Sequence, residues 1–475
     1  MTDRSRQAEE GIMGSLGVRI GVFAATAQIL LAGDAVWLSS DGRTNWNFHP
    51  APVVEPWDGT DHRVLEVSPG ETRQTIDGFG GCFNERGWDA LSVLSETERR
   101  KVLHKLFDPD TGCGFTLFRT PIGASDYAMD WYSLAETPGD LELKSFSIER
   151  DRKYLIPYIR AALEIHPGSK IWASPWSPPA WMKRNGRYSC QSEPETSRLI
   201  WTPEIRSAYA RYFFRFIQAY RDEGIPVYAI HVQNEPDACQ VFPSCLWTGE
   251  EMRDFIRDDL APRFRKDRLD TEIWLGTINH GDYRKYAGVV LGDPDTAPIV
   301  AGVGYQWDGK WAVAETHRRH PGLRLMQTES ECGDGSNDHG AGLYTWTLIK
   351  QYFEGGANSY LYWNMVLDQT GNSTWGWSQN SLVTVNRFTR EVRYNFEYYV
   401  MKHVGAFIQP GAVRIQTGGD DAQALAFRNP DDTIVVVLSN PSFNPWTMTI
   451  RVNERMIRIQ APAGSVNTVV WPSTL

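Results

Sequence analysis

Eight short apolar runs, each of strand length, recur between positions 70 and 403 with helical patterns between them. They are 76–83 (IDGFGGCF), 115–122 (FTLFRTPI), 171–175 (IWASP), 227–233 (VYAIHVQ), 272–279 (EIWLGTIN), 299–305 (IVAGVGY), 323–328 (LRLMQT) and 359–363 (SYLYW). A strand can return parallel to its predecessor only through a crossover of a dozen or more residues, usually a helix. The alternation therefore predicts a parallel sheet, and eight units over this length is the number that closes a (β/α)8 barrel.

Three windows carry helical periodicity where crossovers belong. In 203–223, Tyr209, Tyr212, Phe213, Phe216, Ile217 and Tyr220 recur at three- and four-residue spacing, and Gly224 stops the pattern. Residues 96–106 and 153–164 read the same way. Past 404 the pattern changes: 433–438 (TIVVVL), 447–452 and 465–471 read as strands parted by Asn, Pro and Gly turns. Residues 35–38 and 63–67 are strand-like too, so the two chain ends are expected to meet in one β domain. The expected division is 1–69, giving strands to that domain, 70–403, the barrel, and 404–475, a C-terminal β-sandwich. The fold class is α/β, a TIM barrel with an adjoining all-β domain.

A barrel of this kind gathers the C-terminal ends of its strands at one bowl. Polar and aromatic residues stand at those ends: Asn84 and Glu85, Asp126, Trp176, Asn234 and Glu235, Tyr305 and Trp307, Glu329 and Glu331, Trp363 and Asn364. In 231–237 (HVQNEPD) an amide, an acid and a proline follow a buried-looking run. A single strand-end glutamate usually pairs with an arginine. Two of them, on the fourth and seventh strands amid Trp and Asn, are what cleavage of a glycosidic bond requires, one acid protonating the leaving oxygen while the other attacks or activates water. Glu235 is the expected proton donor, its pKa raised by a neighbouring carboxylate and partial desolvation. Asn234 is expected to hydrogen-bond the sugar 2-hydroxyl. Glu329 and Glu331 share a parity on an extended strand, so spacing leaves the second carboxylate open between them.

The net charge of -10 and the absence of any basic run exclude nucleic acid and anionic membrane surfaces as partners. Nineteen tryptophans suit either a large core or stacking on sugar rings. The six cysteines show no CxxC; Cys239 and Cys245 could bridge a loop, or the thiols are all reduced. Residues 20–31 (IGVFAATAQILL) read either as a signal-peptide core or as a strand, too short to span a bilayer, which leaves cytoplasmic and secreted locations open. His231, His280 and His339 lie near strand ends but lack HExxH or paired ligand spacing. No GxSxG elbow occurs, and Phe83 holds the last glycine position of a nucleotide fingerprint. Neither metal nor cofactor is expected.

Five segments together resemble glycoside hydrolase family 30, which includes lysosomal glucosylceramidase: 76–81 (IDGFGG), 173–183 (ASPWSPPAWMK), 233–236 (QNEP), 315–329 (ETHRRHPGLRLMQTE) and 360–364 (YLYWN). The likeness implies a retaining double displacement with Glu235 as acid/base and Glu329 as nucleophile, leaving Glu331 as a supporting acid behind it. It also implies that Asp126 binds sugar hydroxyls, that Trp176, Asn234 and Trp363 wall the subsite of the cleaved ring, and that Tyr305 or Trp307 hydrogen-bonds or flanks the nucleophile. The segment 304–307 (GYQW) departs from the His-Trp-Tyr pattern of glucosylceramide enzymes, which weighs against a ceramide substrate. The loop 371–377 (GNSTWGW) brings Trp375 and Trp377 near the bowl, to hold a leaving-group sugar or apolar aglycone or simply to pack the rim.

The function expected is a retaining β-glycosidase acting on β-glucosides, with β-1,6-glucanase and β-xylosidase as alternatives within the family and a non-catalytic carbohydrate-binding protein as the alternative outside it. The partner expected is a carbohydrate. Glycone and linkage turn on single hydroxyl orientations contacted by loops, and local sequence does not encode them.

Overall fold

The computed structural model of the chain describes residues 35–471; the apolar run 20–31 lies outside them. Eight parallel strands, β1 Gly78–Cys82, β2 Leu117–Pro121, β3 Lys170–Ser174, β4 Val227–His231, β5 Glu272–Ile278, β6 Val300–Gln306, β7 Arg324–Glu329 and β8 Ser359–Asn364, close into a barrel in chain order. Each of the eight apolar runs forms one of them. The strands read as nearly unbroken apolar stretches because helices cover their outer faces while side chains fill the interior. β1 is an exception in composition, GFGGC, and the reason is contact: a Cβ on Gly80 would collide with the Leu117 carbonyl of β2.

The helix Pro203–Asp222 shows how the crossovers are specified. Thr202 caps it by accepting from the Ile205 amide, Pro203 occupies its first turn, and Gly224 adopts a φ of 79° just past its end. Its buried face includes Tyr209, Tyr212, Phe213, Phe216, Ile217 and Tyr220, the set that the spacing predicts.

The first and last described segments enter one ten-stranded sheet. Val36–Ser40 pairs antiparallel with Ser465–Trp471, and Val64–Thr75 with Val413–Gly419. The sheet folds over on itself, since Ile434, Val436 and Leu438 share one apolar cluster with Ile457 and Ile459 from near its far end. The intervening Val435 and Val437 point the other way, into the apolar core shared with the barrel. Two buried faces explain why 433–438 is apolar at every position after its first. His403, on the helix Phe396–Gly405, ties the two units together, with Nδ1 on Thr468 Oγ1 at 2.8 Å and Nε2 on Ser40 Oγ at 3.0 Å. Burial pushes its pKa down to about 3, so it bonds as the neutral ring. Among the described residues no helix is long and apolar enough to cross a membrane.

Candidate active site

The bowl at the C-terminal ends of the strands is organised by a residue that the strand-end reading passes over. Arg119 sits in the middle of β2, fully buried. Its guanidinium donates to Glu329 Oε2 at 2.9 Å, Asn234 Oδ1 at 2.6 Å, Gln306 Oε1 at 3.2 Å and Ser174 Oγ at 2.9 Å. The indoles of Trp176 and Trp172 lie 4.3 and 5.2 Å from it. An arginine inside an uncharged barrel strand needs a buried anion, and that was the available signal.

Gln306, the last residue of β6, is the second such residue. Its Oε1 accepts from Arg119 and from Thr328 Oγ1, which turns its amide nitrogen toward the acids. Nε2 then lies 3.1 Å from Glu235 Oε1 and 3.1 Å from Glu329 Oε2. Those two carboxylate oxygens are therefore no farther apart than twice that distance. The expected partner Tyr305 does not face the bowl: its hydroxyl meets Thr316 at 2.6 Å on the outer helix. Alternation along the strand sends 305 out and 306 in. Trp307 breaks that parity through a left-handed φ of 50°, and its Nε1 donates to Glu329 Oε1 at 3.1 Å.

Glu235 stands just past β4, also with left-handed backbone, at a φ of 44°. Such a conformation costs a non-glycine residue about 1–3 kcal/mol. It is held by Glu235 N donating to the Thr277 carbonyl at 3.0 Å and Asn234 N to that of Pro175 at 2.8 Å. The Asn234 Oδ1 takes donors from Arg119, Thr277 and Gln306, so its Nδ2 remains as a donor for a ligand. β7 ends at Glu329, and Glu331, beyond it, turns aside to Lys310 and to Tyr344, each at 2.6 Å. The geometry thus brings Glu329, and not Glu331, to Glu235.

Three acids share this buried space. Burial, then the charge of Glu329, raises Glu235 to about 8. Burial also raises Glu329, but Arg119, Trp307 and Gln306 oppose the rise. Asp126 is raised by burial and by both glutamates. One of its oxygens accepts from Trp363 Nε1 at 3.2 Å, while Oδ1 is buried without a partner among the described residues.

These groups line a cavity of about 510 Å³. Asp126, Trp176, Glu235, Trp307, Glu329 and Trp377 are on its wall, together with Gln240, Phe242 and Asn279, which the strand-end reading did not include. Trp363 and Asn234 stand directly behind, the Trp363 ring 5.2 Å from that of Trp176. Trp375 is not on the wall; it packs edge-on against Trp131 at 5.0 Å. The cysteine expectation is corrected as well: Cys190 bonds to Cys239, joining the loops after β3 and β4, while Cys245 is a buried thiol. Loop closure in space, not proximity in sequence, selected the partner.

Comparison with known proteins places both parts of the chain in one family. Residues 76–408 match the family described as "Glycosyl hydrolase family 30 TIM-barrel domain", and 411–469 match "Glycosyl hydrolase family 30 beta sandwich domain". A "Putative glucosylceramidase 1" of Caenorhabditis elegans is 30% identical over 82% of this chain and 78% of its own. The "Endo-1,6-beta-D-glucanase neg1" of Aspergillus fumigatus is 29% identical over 97% of this chain and 99% of its own. Among solved structures, "The endo-beta1,6-glucanase BT3312" superposes with a TM-score of 0.82 at 25% identity, covering 93% of this chain and 99% of that one.

Proposed function

The chain belongs to glycoside hydrolase family 30 and is a glycosidase acting on carbohydrate, and from that premise we propose a retaining mechanism on β-glucosides, with Glu329 as nucleophile and Glu235 as acid and base. The observation that carries this reading is the unequal support of the two acids. Glu329 receives hydrogen bonds from Arg119, Gln306 and Trp307, including a buried ion pair at 2.9 Å. Among the described residues Glu235 receives only the shared Gln306 amide. Two carboxylates this close do not both ionise readily, so the charge settles on Glu329 and the proton on Glu235.

That protonation pattern fits the first half of a double displacement. Glu329 attacks the anomeric carbon as Glu235 gives its proton to the glycosidic oxygen, and the C1–O bond breaks. The aglycone leaves and a glycosyl ester remains on Glu329. Glu235, now a carboxylate, takes a proton from water, whose oxygen attacks C1 and frees Glu329. Retaining enzymes hold their carboxyls about 5–5.5 Å apart and inverting ones about 6.5–9.5 Å. An amide nitrogen 3.1 Å from an oxygen of each supports the shorter spacing. In this reading the Asp126 Oδ1 accepts from glycone hydroxyls, the Asn234 amide donates to the 2-hydroxyl, and Trp176, backed by Trp363, walls the ring.

A second reading, hydrolysis of β-1,6-linked glucan, is favoured by the nearly end-to-end match to the Aspergillus endo-1,6-β-D-glucanase, against about four fifths of the worm glucosylceramidase. The test of mechanism is a pair of variants with dinitrophenyl β-glucoside. Glu235→Gln is expected to accumulate a glycosyl-enzyme visible by intact mass, and Glu329→Gln to accumulate none and turn nothing over. NMR should detect the β-anomer as first product. An α-anomer formed first, or full activity in either variant, refutes the assignment.

A further inference from the structure

The cavity has a buried end and an open end, and only the buried end is accounted for by one sugar. Asp126, Trp176 and Glu329 are all at most 4% exposed, whereas Gln240, Phe242 and Trp377 are half-buried and face outward. If the glycone fills the buried end, the oxygen that Glu235 protonates points outward, and the leaving group lies between those three side chains.

They are built to stay in place. Phe242 and Trp377 approach to 5.0 Å at an interplanar angle of 49°, so two apolar faces from different loops meet at the mouth. The Cys190–Cys239 disulfide pins the Phe242 loop to the one after β3. Beside it the amide of Cys190 donates to the Gln240 carbonyl at 2.9 Å, and Ser244 N to the Tyr188 carbonyl at 3.0 Å. Trp377 closes a tight turn, with Ser373 N donating to its carbonyl at 2.7 Å. The Gln240 side-chain amide makes no hydrogen bond to any described residue and offers both a donor and an acceptor.

Paired apolar faces with one free amide suit a pyranose ring, which has apolar faces and polar edges, better than an alkyl chain, which gives an amide nothing to bond. We propose that Gln240, Phe242 and Trp377 form an acceptor-side subsite for a second pyranose, so that the preferred leaving group is a sugar of a β-linked gluco-oligosaccharide. This rests on the β-glucoside reading above.

The test compares kcat/KM for a panel of β-linked glucose disaccharides with kcat/KM for β-glucosyl fluoride, whose leaving group has no ring to stack. In Phe242→Ala and in Trp377→Ala the disaccharide-to-fluoride ratio is expected to fall roughly tenfold, the effect of losing one stacked ring. Phe242→Tyr is expected to restore the ratio and Phe242→Leu to leave it low. An unchanged ratio in both alanine variants overturns the proposal. So does a larger loss on octyl β-glucoside that Phe242→Leu repairs, which would assign the platform to an alkyl aglycone. Wild-type protein active on the fluoride and inactive on every disaccharide also overturns it, while leaving the β-glucoside reading intact. Wild-type protein inactive on both would refute that reading, and the subsite with it.

Discussion

Replacing Glu235 by Gln separates the chemical duty of this carboxyl from its thermodynamic burden. Burial and the neighbouring Glu329 carry its pKa from 4.5 to about 8. For a group whose pKa is higher folded than unfolded, the stabilising contribution is complete below the unfolded value and disappears as pH rises through the folded one. At about 1.4 kcal/mol per pH unit, the stretch from 4.5 to about 8 withdraws at most about 5 kcal/mol from the wild-type protein by pH 9. The amide put in its place does not ionise, and its carbonyl could still accept from Gln306 Nε2 as Glu235 Oε1 does at 3.1 Å. An unfolding entropy of about 2.1 cal/mol/K per residue, over the 475 residues of the chain, converts 5 kcal/mol into about 5 °C. The assay is thermal unfolding from pH 5 to 9. Expected is a variant equal to wild type at pH 5 and about 5 °C more stable at pH 9, together with a loss of about 10²–10⁴ in rate on unactivated glucosides. Parallel Tm curves across the range would refute the claim that Glu235 holds a proton into the neutral range.

Two further outcomes follow from contacts distant in sequence. Arg119→Met breaks a buried ion pair and should cost about 3–5 kcal/mol in denaturant unfolding; because Arg119 is the foremost influence lowering the Glu329 pKa, the acid limb of kcat/KM should move to higher pH, and an unmoved limb would deny that Glu329 titrates there. Cys239→Ser opens a closure of 49 residues and, by chain entropy, should cost up to about 4 kcal/mol; unfolding at an unchanged denaturant midpoint would mean the loops are held by their backbone bonds alone.

The barrel was legible because its signal is local. A strand buried on both faces must be apolar along its length, and a crossover helix must be apolar on one stripe, so β4 and the helix Pro203–Asp222 declare themselves within their own residues. Glu235 was legible for a related reason: a charge directly after such a run has few harmless explanations. Trp377 and Asp126 followed from their loops being anchored at strand ends.

What local pattern does not carry is which side chains meet across the barrel. Arg119 and Glu329 are 210 positions apart, and their 2.9 Å contact exists only because closing the ring turns strands two and seven toward one interior. The strand end pointed to Tyr305, yet its neighbour Gln306 meets the acids, because the register of β6 turns 305 outward. Cys239 has Cys245 nearby in the chain yet bonds to Cys190, because the loops after β3 and β4 are neighbours in space. Periodicity dictates the elements, since burial is paid residue by residue; the closing of the ring dictates the site, since proton sharing and ion pairing depend on distances between residues that no local spacing relates.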